Sequence, residues 1–368
     1  MSWPIPTLTK KELSSPPSLW FWSIFFISLQ IIAIIIAIFI LNYENPRQIV
    51  GLCLIPTILG WVILYVFWAL KYIGSSLLTK YWNKEIDKTD SLWKEWGKNK
   101  IAILGNAVLT PEKNGVNDLL SDTPPVFPQK ARPLHLHYLP IKELFEDIHQ
   151  QLQNQYPNYK SNLQEIFLLL PETSSFKETE YQSTIKQQWD DRPCHVLHHI
   201  EEIFPIFNNK IETKKIILLL SLQLWDNNQK SYSEFITAQL LSSELFERKQ
   251  NVNQTGGYIG RHMPLSLHNI KNDFKQFISY GCDDINKIKS IWTNNIEDSV
   301  NTNIILELEK QQISVSTHNI NYSFGPSGPL SLILSIAIAL EFAKKQQTEQ
   351  LVFNKLQNDI ILHRIFCS

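Results

Sequence analysis

Two uncharged apolar runs near the N-terminus, residues 19–41 and 48–70, constrain this chain more than any other feature. The first reads LWFWSIFFISLQIIAIIIAIFIL, and the second has the same length. At about 1.5 Å per residue, each forms a helix of roughly 34 Å, enough to cross a hydrocarbon core of about 30 Å. Asn42-Tyr43-Glu44-Asn45-Pro46-Arg47 between them is a polar turn signal. Backbone cannot stop inside lipid, so two spans with so short a loop predict an antiparallel transmembrane hairpin. A cleaved signal peptide is the competing reading. Its apolar region is shorter, about 7–15 residues, and it is not followed at once by a second span. Two buried helices of a soluble domain would not be apolar all round over this length.

Lysine placement predicts the orientation. Lys10 and Lys11 precede the first span, Lys71, Lys80 and Lys84 follow the second, and the loop carries only Arg47. Both termini are therefore expected in the cytoplasm of a bacterial cell, with the protein multi-pass in the inner membrane. Trp20, Trp22, Trp68, Tyr72 and Trp82 fit interfacial belts, and Pro56 and Gly60 are candidate kink sites. No ionisable residue lies within either span, so the hairpin reads as an anchor in the bilayer rather than a pathway. The expected organisation is a cytoplasmic tail (1–18), the hairpin (19–70), a juxtamembrane linker or helix (71–99) and a cytoplasmic α/β layered domain (100–368).

Composition excludes several classes. Lys plus Arg total 34 against 35 for Asp plus Glu, so no basic surface for nucleic acid is expected. Four cysteines (Cys53, Cys194, Cys282, Cys367) are too few for a disulfide scaffold and should be reduced thiols in the cytoplasm. No period of 20–50 residues recurs, which argues against a solenoid.

Beyond residue 100 strand and helix signals alternate, the signature of a layered α/β domain. Strands are expected at Ile101–Gly105, Leu134–Leu139, Glu165–Leu170, Lys214–Leu224, His318–Phe324, Gln350–Asn354 and Ile360–Phe366. The 214–224 segment is apolar on both faces and hence central. Helices are expected at Ile141–Gln155, Lys177–Trp189, Ser233–Lys249, 282–293, 296–311 and Leu330–Lys345. Residues 111–133 read as a loop, and 250–268 as a loop with a short extended piece.

The densest reactive cluster is Asp190-Asp-Arg-Pro-Cys-His-Val-Leu-His-His199. Cys194 with His198 or His199 is a candidate nucleophile pair, because an imidazolium stabilises thiolate. His195 would point to the opposite strand face from Cys194. Metal ligation is the other reading, but no CxxC or HxxxH completes a set, and the bland reading is polar strand and loop residues. His135 and His137 share a face if Leu134–Leu139 is a strand; two solvent-facing histidines are the simpler account. Gly256-Gly-Tyr-Ile-Gly260 lacks the features of a phosphate loop. Gly325-Pro-Ser-Gly-Pro329 precedes a helix but reads as a tight helix start, since Pro329 has no N–H. No cofactor or metal site is expected.

The order of Ile216-Ile-Leu-Leu-Leu-Ser-Leu-Gln-Leu-Trp-Asp226, Ser233–Leu241, Phe324-Gly-Pro-Ser-Gly-Pro329 with its apolar helix, and Gln350-Leu-Val352 with the closing hairpin resembles a known group. It is similar to membrane-anchored accessory proteins encoded beside type VI secretion effectors, related to the type VI lipase-adapter family. Ile103–Pro111 and Leu139–Phe145 fit the same pattern, so the resemblance covers roughly residues 100–366. It implies a thiolase-like (ketosynthase-like) domain used as an adapter or chaperone, with an effector or spike protein as partner and no catalysis. Ketosynthases and thiolases need a Cys at a helix N-terminus and histidines from later loops; Cys194 follows Pro193, Cys282 has two acids beside it, and His262, His268, His318 and His363 sit in no matching motif. Two alternatives stand beside the adapter: a membrane-tethered acyl-transfer or thiol enzyme using Cys194, and an immunity protein against a membrane-active toxin. The sequence leaves the oligomeric state open.

Overall fold

The computed structural model describes residues 3–42, 45–111, 116–119, 132–136, 140–172, 177–208, 215–225, 231–243, 256–266, 269–310, 313–356 and 359–367. The chain divides into two compact units, one of Ile5–Trp93 and one of Met1–Pro4 with Lys94–Ser368.

The smaller unit is a helical hairpin. Helix α1 (Leu19–Phe39) is capped by Ser18, whose hydroxyl accepts from the Phe21 N–H. Helix α2 (Pro46–Gly97) starts behind Asn45, whose side chain accepts from the Arg47 N–H. Both are long and apolar enough to cross a membrane, and little of either is buried. They pack through aromatics: the Trp61 indole donates to the Trp22 carbonyl at 3.2 Å, and Trp22 meets Trp61, Tyr65 and Trp68 at ring distances of 5.4–6.3 Å. In α2, Val50–Leu54 forms a π turn just before Pro56, where the proline ring clashes with a regular turn. Where a linker or separate helix was expected at 71–99, α2 runs unbroken to Gly97. Ahead of α1 the tail lies along α2. Lys11 and Asn83 exchange two hydrogen bonds of 2.9 Å, and Lys10 pairs with Asp87 at 2.6 Å.

Among the described residues the larger unit is built on eleven strands: β1 (Lys100–Leu109), β2 (Leu163–Leu169), β3 (Cys194–Leu197), β4 (Ile216–Gln223), β5 (Phe235–Ser243), β6 (Gly257–Gly260), β7 (Met263–Leu265), β8 (Ile288–Asn294), β9 (Ser316–Asn319), β10 (Glu349–Leu356) and β11 (Asp359–Phe366). Its helices are α3 (Ile141–Gln155), α4 (Glu178–Gln188), α5 (Ile270–Gly281), α6 (Asp298–Lys310) and α7 (Ser331–Gln346), with shorter turns between. The strand order is β3-β2-β4-β5-β1-β6-β11-β10-β8-β9, with β7 on β11. Read outward from the antiparallel β1–β6 pair, the two sides match. β3-β2-β4-β5-β1 answers β9-β8-β10-β11-β6; three strands are parallel on each side and the hairpin partner (β5 or β11) runs against them. Each half thus repeats one path of strand, helix, strand, helix, strand, helix and hairpin.

Two apolar layers cover the first half. Outside, Phe145, Ile148 and Leu152 of α3 and Tyr181 and Ile185 of α4 pack on Leu218, Leu220, Ile236, Ala238 and Leu240. Inside, α7 lies against strands of both halves, β1 and β5 on one side and β8, β10 and β11 on the other, in one core layer with Leu241, Val352, Ile361 and Ile365. That placement explains why α7 is apolar all round: it has no solvent face until Glu341. Trp3 belongs to this unit. It is 5% exposed, packs on Trp96 and Phe277, and its indole donates to the His262 carbonyl at 2.9 Å.

Several expectations change. Residues 235–243 form strand β5, not a helix, and 288–294 form strand β8, not a helix. The expected strand at 318–324 is β9 followed by a helical turn, Ile320–Phe324, started by the Asn319 side chain. Gly105 does not end β1; the strand passes through it with a bulge. Residues 132–136 join no ladder. His137, His268, most of 111–133, and 244–249 lie outside the described residues.

Candidate functional site

Ligands of open α/β sheets bind beyond the carboxyl ends of parallel strands, so those ends are the place to look in each half. In the second half they carry amides and hydroxyls. The Ser327 hydroxyl donates to Asn294 Oδ1 at 2.5 Å, and the Asn294 amide donates to Ser335 Oγ at 3.0 Å. In its satisfied orientation, the Asn321 amide nitrogen donates to Asn294 Oδ1 at 3.0 Å while its oxygen accepts from the Asn295 N–H at 3.3 Å. Asn354 Nδ2 donates to Ser331 Oγ at 3.1 Å.

From the first half, Gln223 enters the same network. Its amide nitrogen donates to the Ser233 and Ser327 carbonyls (2.8 and 2.7 Å), and its oxygen accepts from the Leu330 N–H at 3.0 Å. Gly328 permits this, since it sits at φ +71° and a Cβ there would meet the Gln223 amide at 2.7 Å. The start of α7 is thereby occupied by protein groups, as a tight helix start requires. Ser233 and Glu234 pin the neighbouring segment. Ser233 Oγ accepts from the Leu134 N–H at 3.0 Å and donates to the Phe324 carbonyl at 2.6 Å. Fully buried Glu234 takes the Leu136 N–H at 2.8 Å, the Trp225 N–H and His135 Nδ1, with the His135 ring stacked on Trp225. His135 therefore braces a buried carboxylate rather than lying on a solvent-facing strand.

The cysteine–histidine cluster is pulled apart. Cys194 opens β3, while His198 and His199 follow its far end. At about 3.3 Å per strand residue they lie roughly 10 Å or more from Cys194 along the strand. Cys194 packs against the outer core, and burial raises its thiol to about 11, leaving it almost wholly protonated at neutral pH. His195 stacks on Phe167, His198 approaches Glu178 (3.5 Å) and His199 approaches Glu172 (3.3 Å). Cys282 follows the end of α5, pushed up to about 12 mainly by burial, and Cys367 follows β11. None of the four thiols opens a helix. The first half's third helix is small among the described residues. It comprises Ile200–Ile203 (4 residues) and Phe204–Asn208 (5 residues), against 16 in α7, its counterpart. Among the described residues no cluster of His, Cys, Asp and Glu could hold a metal. A cavity of about 370 Å³ opens beside Ile141, Leu144, Tyr181 and Leu224, with Lys177 and Glu180 also lining it.

No family model and no curated protein matches this sequence. Solved structures do. A chain of a complex described as a type II PKS acyl-carrier protein with its ketosynthase aligns with a TM-score of 0.52 at 7% identity, covering 74% of this chain and 100% of its own. ChlB3, described as an acyltransferase, gives 0.50 at 8% identity, covering 73% and 98%. The 3-oxoacyl-[acyl-carrier-protein] synthase III of Aquifex aeolicus gives 0.46 at 9%, covering 72% and 99%. On the first two of these and on its strand order, the larger unit is a layered α/β domain of thiolase-like fold. At this identity the likeness concerns the fold alone.

Proposed function

We propose that this chain is a membrane-anchored accessory protein whose thiolase-like domain binds a protein partner without catalysing a reaction. The partner in this reading is an effector or spike component of type VI secretion, met at the bacterial inner membrane. One observation carries the non-catalytic part: no thiol stands at a helix N-terminus, where backbone N–H groups and the helix dipole would stabilise a thiolate. The place after β3, where the first half's third helix begins, holds His199 and Ile200 instead. The two apolar helices support the anchor. Trp3, before the hairpin, and the domain, after it, belong to one compact unit, which favours both ends lying on one side of the membrane. The partner's identity rests on the resemblance in segment order. The test is affinity capture of the full chain from its native cells. An effector or spike protein should co-purify with it, and with a form lacking residues 19–70. Loss of capture by a folded form of the latter would make the hairpin the recognition element.

A membrane-tethered acyl-transfer or thiol enzyme is the second reading, favoured by the ketosynthase and acyltransferase among the matched folds. Replacing Cys194 with Ala separates the two. The adapter reading expects cellular function to persist; its loss, with folding and partner capture intact, would reverse the choice.

A further inference from the structure

Strand alternation places a second polar group of residues on the inner face of the first half. On β4, Ile217 and Leu219 face the inner core layer, and so do Ser221 and Gln223 two and four residues on. On β5, Phe235 and Leu241 face the same way, and between them Thr237 and Gln239. The register aligns them: Ser221 pairs with Thr237 and Leu219 with Gln239, while Asn106 of β1 pairs with Gln239 on its other side. Gln223 is fully hydrogen-bonded. The other four are not. Both amide atoms of Gln239, the hydroxyls of Thr237 and Ser221, and Asn106 Oδ1 are buried with no hydrogen-bond partner. Gln239, Thr237 and Ser221 are 0% exposed and Asn106 is 2% exposed.

Buried polar atoms are nearly always satisfied, so four neighbouring side chains left unsatisfied on one face mark a place where something else supplies the partners. Asn106 Nδ2 donates to the Ala337 carbonyl at 3.1 Å, so α7 closes the Asn106 end of this group. Among the described residues, the first half's third helix is also short beside its counterpart. The donor set fixes the guest's chemistry. Two amides and two hydroxyls offer both donors and acceptors, and none carries charge. A bare ion would stay uncompensated there. At the Asn106 end Glu341 and Lys344 neutralise each other at 3.0 Å.

We propose that the inner face of β4, β5 and β1 beside α7 is a binding site for a small neutral guest carrying both hydrogen-bond donors and acceptors. Water molecules and the hydroxyl or amide group of a small organic molecule share that chemistry.

Near-isosteric replacement in the full-length chain, in detergent micelles, tests it by sign. Thr237→Val, Ser221→Ala and Gln239→Met each remove groups that the guest would bind. Each should lower the Tm by about 2–4 °C, the shift expected for one lost hydrogen bond in a domain of this size. If the slot were empty, the same replacements would remove orphaned polar atoms, and an unchanged or raised Tm would overturn the proposal. Thr302→Val on the exposed face of α6 sets the baseline. Density in an experimental structure gives a reading without variants: peaks about 3 Å from Thr237 Oγ1 and the Gln239 amide support the site, and bare density there refutes it. Mass spectrometry of the denatured wild-type protein separates the sources. A stoichiometric small molecule absent from Thr237→Val names an organic guest, whereas a lowered Tm with none released names water.

Discussion

His363 lies wholly inside the domain, its ring 5.9 Å from that of His262 and close to Phe207. Burial holds His363 down at about 3 and His262 at about 4, where the neighbouring Arg261 adds to the effect. Both are neutral in the folded state, while in the unfolded chain they take up protons near pH 6.5. Between those values the unfolded state binds more protons, so stability rises with pH there and falls as pH drops from about 6.5 toward 4. Chemical denaturation across that window should show a loss on the order of a few kcal/mol, and His363→Gln should flatten the slope. These histidines look unremarkable in sequence because nothing local marks their burial. Cys194 with His198 or His199 is the opposite case: closeness in sequence suggests chemistry that an extended strand then separates. The Asn294, Asn321 and Ser327 network was likewise hidden, since Asn, Ser and Gly read as turn residues until tertiary contacts bring them together.

Among the elements, β4 was legible because Ile216–Leu222 is apolar on both faces. α3 was equally plain, its apolar residues recurring at helical spacing. β5 was misread for a physical reason. Ser233 and Glu234 look like a helix start, but their side chains serve Phe324, Leu134, Leu136 and Trp225 across the fold. The apolar spacing of Phe235, Ile236, Ala238, Leu240 and Leu241 suits either period. β8 was obscured by Ser290, Thr293 and Asn294, polar yet buried. α7 carries the prediction at this scale. Leu334 is fully buried in the layer shared by both halves, so Leu334→Ala should cost about 2–5 kcal/mol. Because α7 touches strands of both halves, denaturant unfolding followed by fluorescence and by far-UV circular dichroism should shift together, not half by half.

At the scale of the molecule, the hairpin's uncharged runs were readable directly, whereas the duplicated half was not. Its halves share a path through space and no visible sequence period, because a topology constrains where apolar faces point and leaves residue identity free. Trp3 gives no signal in the sequence either, since a lone aromatic in a short tail carries no pattern. Its burial between Trp96 and Phe277 makes it a tie from the start of the chain to the larger unit. Trp3→Ala should destabilise that unit by about 3–5 kcal/mol, with a matching fall in its thermal transition.

That tie also bears on how the protein is made. Trp3 leaves the ribosome before the hairpin, yet its seat includes Phe277 and Gly281, which are made long after it. At about 5–20 residues per second, the tail waits roughly 15–60 s for its partner. In the proposed topology both apolar helices are complete long before then, so membrane insertion comes before closure of the N-terminal tail. A segment that seals the domain only at that stage leaves an unfinished chain open at the same seam.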